Sequence, residues 1–280
     1  MNFSINCSGR LLDLTLPKVM GILNLTPDSF YETSRISNIE HAILQTAKMV
    51  EDGADIIDIG AMSTRPGLAE ISLDEEKNRL LTPLKMLRKE FPNVLFSVDT
   101  YRSEIANMAV DSGANIINDI SGGDFDDKMF DTIAQNQIPY IMMHTSDKPL
   151  NMQNRTHYKN LLTDINLILG DKLKKLYLLG AKDIIIDPGF GFGKTLDQNY
   201  FLLKNLSFFS ELNCPILAGL SRKSMIYKHL NITPEKALAG TIVLNMIALQ
   251  NGAKILRVHD VFEAKQTIDI FQKITSSTEN

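Results

Sequence analysis

The sequence has 280 residues, of which 44% are hydrophobic and 22% are charged, and its net charge at pH 7 is −4. This balance gives no overall positive field that would attract nucleic acid or an anionic membrane surface. An anionic ligand would therefore have to be held by a local cluster of cations. The length suits a single domain spanning 1–280, because α/β barrels of about 250 residues fold as one unit.

Two cysteines, Cys7 and Cys214, lie far apart in the sequence and match no metal-binding spacing. Free thiols are ordinary in a reducing cytoplasm, so a disulfide between them is the less favoured interpretation. The first residues lack the basic start and the apolar core of a signal peptide. No apolar run approaches the roughly eighteen residues that a membrane span needs. We therefore expect a cytoplasmic protein.

Short apolar runs, rich in β-branched residues, recur along the chain without a clean alternation of polar and apolar positions. Parallel strands that are covered by helices have this pattern, because both of their faces are buried. The predicted strands are 19–23, 55–59, 95–98, 115–118, 140–143, 183–186, 215–218 and 254–258. Amphipathic segments between them predict helices at 40–51, 73–90, 103–111, 128–135, 160–179, 199–212, 237–250 and 261–273.

Four of the predicted helices end in a similar phrase: DGAD (52–55), SGAN (112–115), LGAK (179–182) and NGAK (251–254). The glycine predicts a helix C-cap, and the next strand begins about two residues later. Eight such cycles favour a closed (β/α)8 TIM barrel over a doubly wound sheet. Around Ser8 and Gly9, residues 3–7 and 10–14 predict a β-hairpin that covers the floor of the barrel.

Polar side chains follow almost every predicted strand, at the end where barrel enzymes carry their active sites. Acids and amides suit a flat heterocycle with many hydrogen-bonding edges, and the cations suit a phosphorylated group. Ser221 has no nucleophile-elbow sequence and the histidines have no zinc spacing, which disfavours acyl transfer and zinc hydrolysis. The residues at these strand ends are Asn24, Asp58, Asp99, Asn118, His144, Asp187, Ser221, Arg222, Lys223, Arg257 and His259.

Seven motifs, running from the first predicted strand to the last, are similar in kind and order to those of the dihydropteroate synthases. These enzymes of folate synthesis join a pterin diphosphate to p-aminobenzoate. The resemblance covers about 3–273. The motifs are MGILNLTPDSF (20–30), DIGAMSTRPG (58–67), SVDT (97–100), IINDISGG (116–123), DPGFGFGK (187–194), SRKSMI (221–226) and RVHD (257–260).

The resemblance implies a pterin pocket in which a carboxylate pairs with the 2-amino-4-oxo edge of the ring. Two alternatives stay open: Asp187 could cap the turn at Pro188, and Asp99 could bond to the turn 100–103. The implied pterin residues are Asp99, Asn118, Met143, Asp187, Phe192, Lys223 and Arg257. Of these, Asp99, Asp187, Lys223 and Arg257 are implied to be catalytic.

The resemblance also implies a diphosphate site, with Mg²⁺ as cofactor and Asn24 as its protein ligand. One such ligand suffices, because Mg²⁺ keeps several waters and shares substrate phosphates. His259 could instead be a satisfied structural histidine. The implied diphosphate residues are Asn24, Thr64, Arg257 and His259.

For p-aminobenzoate, the resemblance places the carboxylate at the turn that opens the helix after the seventh strand, with two loops closing over the substrate. The implied residues are Phe30, Arg65, Pro66, Ser221 and Arg222. The first loop departs from the family at 31–34, where YETS replaces a glycine-rich run, and smaller departures occur at 61–62 and 145–147. Because glycines permit loop movement, we expect a stiffer first loop.

The implied partners are small molecules, namely the pterin diphosphate and p-aminobenzoate, with no nucleic acid and no membrane. A homodimer packed through the late barrel helices is expected by analogy. A neutral arylamine needs no strong base, so we expect diphosphate to depart first and the amine to capture a pterin cation. The alternatives are a pterin-binding paralogue without synthase activity and a pterin-dependent methyltransferase domain.

Overall fold

The computed structural model describes residues 3–25, 35–61, 71–147 and 156–278. Eight parallel strands close into a barrel in which each strand pairs with the next one along the chain and the last pairs with the first, which confirms the predicted TIM barrel. Each predicted strand agrees with an observed one to within about one residue. The barrel strands are β3 Lys18–Asn24, β4 Ile56–Gly60, β5 Leu95–Asp99, β6 Ile116–Asp119, β7 Tyr140–Met143, β8 Ile184–Asp187, β9 Ile216–Ala218 and β10 Ala253–Val258.

Helices connect the strands and cover the outside of the barrel. The helix predicted at 199–212 is wrong as a single element, because Thr195 and Gln198 form a complete capping box that begins a helix earlier. That helix ends at Lys204, and a 3-10 helix follows at Leu206–Leu212. The α-helices are α1 Arg35–Glu51, α2 Leu73–Glu90, α3 Ser103–Asp111, α4 Met129–Asn136, α5 Leu161–Leu178, α6 Leu196–Lys204, α7 Ser224–Leu230, α8 Leu238–Gln250 and α9 Val261–Ser276.

The glycines in the four repeated phrases all have left-handed backbones. Their φ angles lie between +92° and +101°, at Gly53, Gly113, Gly180 and Gly252. A side chain is disfavoured in this region, so glycine ends each helix and turns the chain into the next strand. The prediction of helix C-caps is confirmed.

The N-terminal hairpin closes the floor of the barrel, as predicted. Its strands, β1 Ser4–Cys7 and β2 Arg10–Asp13, pair antiparallel. Ile5, Cys7, Leu12 and Leu14 are buried against one ring of inward-facing residues, one from each barrel strand. That ring consists of Met20, Ile56, Leu95, Ile116, Ile141, Ile185, Leu217 and Ile255.

The same ring fixes where the polar side chains point. Successive residues of a strand face opposite sides, so residues two positions further along each strand also face the barrel interior. The register aligns Ile22 with Asp58 and Met143 with Asp187. The next interior layer is mostly polar, and contains Asp58, Ser97, Asn118, Asp187 and Arg257 together with Ile22, Met143 and Gly219.

Within the described ranges, every helix is too short or too polar to cross a membrane. Cys7 and Cys214 are both buried and free, so the favoured interpretation of two unpaired thiols is confirmed.

Candidate active site

Arg257 forms ion pairs with two carboxylates near the C-terminal ends of the barrel strands. Its Nε donates to Oδ2 of Asp58 at 2.6 Å, and its Nη2 donates to Oδ2 of Asp99 at 2.7 Å. Asn118 donates from Nδ2 to the same oxygen of Asp58 at 3.0 Å. Side chains from four strands thus form one hydrogen-bonded network inside the barrel.

This network has one buried acceptor left over. Asp58 is fully buried, and its Oδ1 has no hydrogen-bond partner in the part of the chain that the structure describes. An unsatisfied buried polar group costs about 1–3 kcal/mol, so proteins rarely keep one without a reason. The spare oxygen suits a ligand that carries N–H donors.

Burial and neighbouring charges shift the pKa values of Asp99 and Arg257. Burial raises the pKa of Asp99, the charge of Arg257 opposes that rise and the charge of Asp58 adds to it, and the net result is a pKa of about 7. Burial lowers the pKa of Arg257, but the charges of Asp58 and Asp99 outweigh it and leave a net rise. Arg257 therefore stays protonated and holds the two carboxylates together. The alternative in which Asp99 bonds to the turn 100–103 gives way to its ion pair with Arg257.

Asp187 and Lys223 form a second charged pair beside the first. Burial raises the pKa of Asp187 and lowers that of Lys223 to about 8, and each charge offsets the shift of the other. A Cβ placed on Gly219 would lie 3.7 Å from Nζ of Lys223 and 4.0 Å from both Oδ2 of Asp187 and Cβ of Arg257. The absence of a side chain at Gly219 leaves room where these three residues meet.

One oxygen of Asp187 is already used by the protein. Its Oδ1 accepts from the backbone N–H of Gly189 at 2.7 Å, so the turn-cap alternative is correct for half of this carboxylate. Lys223 donates to the carbonyl of Phe190, and its Nζ lies 4.9 Å from the ring centroid of Phe192. The pair is thereby oriented by the loop that follows β8.

Two of the predicted pterin residues belong to a small apolar cluster on this rim. Met143, Tyr101 and Ile120 are its buried members, and Phe125 and Phe192 pack against them. Apolar side chains next to a few convergent polar groups are typical of sites for flat ring ligands. The structure therefore brings Asp99, Asn118, Met143, Asp187, Phe192, Lys223 and Arg257 to one region.

Ser221 and His259 form a contact that the sequence did not predict. The Oγ of Ser221 lies 3.1 Å from Nδ1 of His259 and accepts from the His259 backbone N–H at 3.2 Å. Ser221, which the resemblance assigned to p-aminobenzoate, is therefore in direct contact with His259, which it assigned to the diphosphate.

Arg222 is held by its neighbours. Its Nε and Nη2 donate to the two carboxylate oxygens of Asp260, at 2.9 and 2.7 Å. Its Nη1 donates to the carbonyls of Pro234 and Glu235 at 3.4 and 3.1 Å. This fork fixes the guanidinium beside Ser221 but occupies much of its donor capacity.

Asn24 lies at the exposed end of β3. A Cβ placed on Gly60 would lie 3.7 Å from Oδ1 of Asn24 and 3.8 Å from Oδ2 of Asp99, so glycine keeps open a space that a side chain would fill. Within the described ranges no group of three or more histidine, cysteine or acidic side chains could hold a metal unaided. Hard oxygen donors with room for ligand phosphates fit Mg²⁺.

The sequence profile of a family described as pterin binding enzyme matches residues 20–259. The dihydropteroate synthase of Escherichia coli strain K12 is 38% identical over 274 residues, which is 97% of this chain and 96% of that protein. The chain belongs to the dihydropteroate synthase family.

Solved structures of this family agree with the fold. The dihydropteroate synthase of Xanthomonas albilineans with 4-aminobenzoic acid superposes with a TM-score of 0.92 at 33% identity, over 99% of this chain and 100% of that one. The same enzyme in complex with 7,8-dihydropteroate gives a TM-score of 0.89 at 32% identity, with the same coverage.

The family resemblance also assigned four further residues to the ligands. Phe30, Thr64, Arg65 and Pro66 lie outside the described residues, as do the departures from the family pattern at 31–34. Their roles stay predictions.

Two features of this family member were missed at the level of sequence. Asp58 was noted only as a strand end, although it connects Asn118 to Arg257. Lys194 was seen as the end of a motif, yet its side chain is buried beside His144. The sequence signal for Lys194 was its position directly after three glycines that alternate with phenylalanine in the motif 187–194.

Proposed function

We propose that this protein catalyses the reaction of its family, the condensation of 6-hydroxymethyl-7,8-dihydropterin diphosphate with p-aminobenzoate. The bond between the pterin methylene carbon and the diphosphate oxygen breaks, and the arylamine nitrogen bonds to that carbon and loses a proton. The products are 7,8-dihydropteroate and diphosphate. The observation that carries the proposal is the convergence of Asp58, Asp99, Asn118, Asp187, Lys223 and Arg257 on one end of a family-typical barrel.

Pterin recognition follows from the donors and acceptors available. Oδ2 of Asp187 is free of the turn that uses Oδ1, and a carboxylate oxygen suits the 2-amino group of the ring. Asn118 and Asp99 would read the other ring nitrogens, and Lys223 would donate to the ring oxygen. Met143 and Phe192 would cover the ring faces, with Arg257 stacked across it.

Departure of diphosphate needs positive charge where the negative charge develops. Arg257 and His259 would contact the diphosphate, together with Thr64. Asn24 would hold Mg²⁺, which when bound would neutralise charge on the leaving group. The exposed amide of Asn24, which together with the carboxylate of Asp99 borders the space that Gly60 leaves open, supports this assignment.

p-Aminobenzoate would bind with its carboxylate near Ser221 and Arg222, and Phe30, Arg65 and Pro66 would complete its pocket.

The arylamine is neutral at pH 7 and needs no strong base. We therefore propose that diphosphate departs first and that the amine captures a pterin cation. Oxygen-18 placed in the bridge between pterin and diphosphate should then exchange with non-bridging positions when p-aminobenzoate is absent. Labelled substrate recovered without exchange would contradict this order.

A coupling assay tests the function itself. Purified protein with both substrates and Mg²⁺ should form 7,8-dihydropteroate and diphosphate in equal amounts. In the variant Asn24→Ala, half-maximal rate should require at least about tenfold more Mg²⁺, because even changes to residues that only support a metal ligand commonly cost about 10–100-fold in metal affinity. Pterin diphosphate that binds but yields no dihydropteroate at any Mg²⁺ concentration would contradict the synthase proposal and favour a binding paralogue.

The chain is also proposed to act as a single domain and as a homodimer. Helix α8 has no charged residue along its thirteen positions and leaves Val243 57% exposed. Phe262 on the adjoining α9 is 52% exposed, and exposed apolar surface of this kind is typical of subunit contacts. Light scattering should give twice the 31.4 kDa chain mass, and Val243→Glu should give the monomer.

A cytoplasmic location stays a prediction that the two free buried thiols support.

A further inference from the structure

Lys194 has its ammonium group buried behind the candidate pterin pocket. The residue is 4% exposed, and its Nζ lies 2.8 Å from the carbonyl oxygen of Gly189 and 3.1 Å from that of Phe192. The third neighbour is Nδ1 of His144, also at 3.1 Å. An ammonium group has three N–H donors, so these three acceptors satisfy it completely.

The arrangement requires a neutral histidine whose Nδ1 carries no proton. Burial lowers the pKa of His144 well below its usual value, and the charge of Lys194 lowers it further. Burial also lowers the pKa of Lys194 to about 7, while the charge of Asp187 opposes that shift. The lowered pKa of His144 keeps its imidazole neutral, and the hydrogen bond from Lys194 to Nδ1 follows from the geometry of the three acceptors.

Lys194 binds both ends of the turn that shapes the pocket. Gly189 orients Asp187 through its backbone N–H, and Phe192 belongs to the apolar cluster on the rim. The same turn is packed tightly against the chain after β7, because a Cβ on Gly189 would lie 1.9 Å from the carbonyl oxygen of His144. His144 in turn donates its backbone N–H to the carbonyl of Asp187 at 2.9 Å.

We propose that Lys194 is a positioning residue for the pterin pocket and that His144 is its partner. The ammonium ties the 189–192 turn to the end of β7, and so sets Asp187 and Phe192 at the separation that a pterin ring needs. This inference rests on the proposed function, because it assigns the pocket to a pterin. Neither residue touches the reacting atoms in this scheme.

Two ligands that report on different parts of the site provide the test. One is 6-hydroxymethyl-7,8-dihydropterin, which needs Asp187 and Phe192, and the other is inorganic diphosphate with Mg²⁺. Binding is measured by calorimetry on the full chain without p-aminobenzoate. Lys194→Met keeps the length of the side chain but removes all three donors, so pterin Kd should rise about tenfold or more while diphosphate Kd changes by less than about twofold.

Two substitutions of His144 test its role as an acceptor, one that keeps an acceptor and one that removes it. His144→Asn keeps an acceptor near the position of Nδ1, and should stay within about threefold of wild type, whereas His144→Leu should weaken pterin about tenfold. Arg88→Met is the matched control, because Arg88 donates to the carbonyls of Val94 and Gly113, where neighbouring barrel strands begin. It should lower the melting temperature but leave pterin Kd within about twofold.

The outcomes separate the inference from the proposed function. An unchanged pterin Kd in Lys194→Met, or equal weakening of both ligands, would overturn the positioning role. If Lys194→Met does not fold, the His144 pair decides, and equal pterin Kd values for its Asn and Leu variants would overturn the role. Wild-type protein that binds pterin but forms no dihydropteroate would defeat only the proposed function.

Discussion

Arg257 and Asp58 are joined by a 2.6 Å hydrogen bond from Nε to Oδ2 that spans 199 positions of the sequence. Asp58 is fully buried, and the same oxygen also accepts from Asn118. The aspartate therefore fixes the side chains on either side of it and keeps a second oxygen that has no partner among the described residues. Its position makes it a support for the guanidinium as well as a candidate acceptor for the ligand.

Replacing Asp58 by Asn should impair both folding and pterin binding. The exchange keeps the shape but removes a charge from a buried pair, which should lower the free energy of unfolding by about 3 kcal/mol. Pterin Kd should rise about tenfold or more as Arg257 loses its orientation. Urea titration and calorimetry measure the two effects.

Asp119→Asn is the control for that change. Asp119 is equally buried on β6, next to Asn118, but it faces the other side of the strand and accepts from Tyr140 and Ser121. It should lose stability while pterin Kd stays within about twofold. Equal pterin Kd values in the two variants would show that Asp58 acts only through folding.

Lys223 should give pterin binding an alkaline limb. Burial lowers the pKa of Lys223 to about 8, so raising the pH through this value removes the ammonium charge and weakens its hydrogen bond to the ring. Pterin Kd should therefore increase above about pH 8. Lys223→Arg keeps its proton across this range, and its Kd should lack the limb even if its overall affinity is lower.

Stability should change in the opposite direction over the same pH range. The pKa of Lys223 is near 8 in the folded protein and 10.5 when unperturbed, so between these values the unfolded chain binds more protons. The contribution of this lysine to the free energy of unfolding therefore rises with pH. The difference between wild type and Lys223→Met in urea titrations at pH 7.5 and 9.5, roughly spanning that window, measures it. A loss of binding caused by unfolding would instead follow a loss of stability.

Gly189 should tolerate no side chain. Its φ is +76°, and an added Cβ would lie 1.9 Å from the carbonyl oxygen of His144. Gly189→Ala should therefore displace the 189–192 turn and raise pterin Kd about tenfold. Gly180→Ala is the control, because Gly180 also has a positive φ but no atom of the described residues lies within 4 Å of the added Cβ. The control should cost about 1–2 kcal/mol of stability with binding unchanged.

The sequence was sufficient for the barrel because the apolar runs and glycine caps are local signals. It did not indicate which strand residues face the interior, since Ile57 and Ile59 are buried against the helices while Ile56 is buried inside the barrel. Side chains alternate between the two faces of each strand, but both faces carry apolar residues, so the residue types do not show the alternation. The prediction of one helix at 199–212 was wrong because the apolar periodicity continues past the end of the helix at Asn205.

The candidate site was predictable as a set of strand-end residues, and the pairing among them was not. Whether Asp58 meets Arg257 depends on the stagger of a closed barrel, which no local pattern encodes. The carboxylate partner of Arg222 is equally non-local, 38 positions away at Asp260. These pairings decide which donors are left for a substrate.

Arg222 provides the last test, since its assignment to p-aminobenzoate competes with its bonds to Asp260. Arg222→Ala should raise the KM for p-aminobenzoate about tenfold, as expected for a lost charge-assisted hydrogen bond, with the Kd for pterin diphosphate within about twofold. Asp260→Asn should raise the same KM by a smaller factor, because the guanidinium keeps its charge but loses half of its support. Lys265→Ala, which breaks an exposed pair with Asp269 on α9, should leave both constants unchanged. An Arg222→Ala variant with lower stability and an unchanged KM would mean that the fork with Asp260 is purely structural, and that Ser221 receives the carboxylate without it.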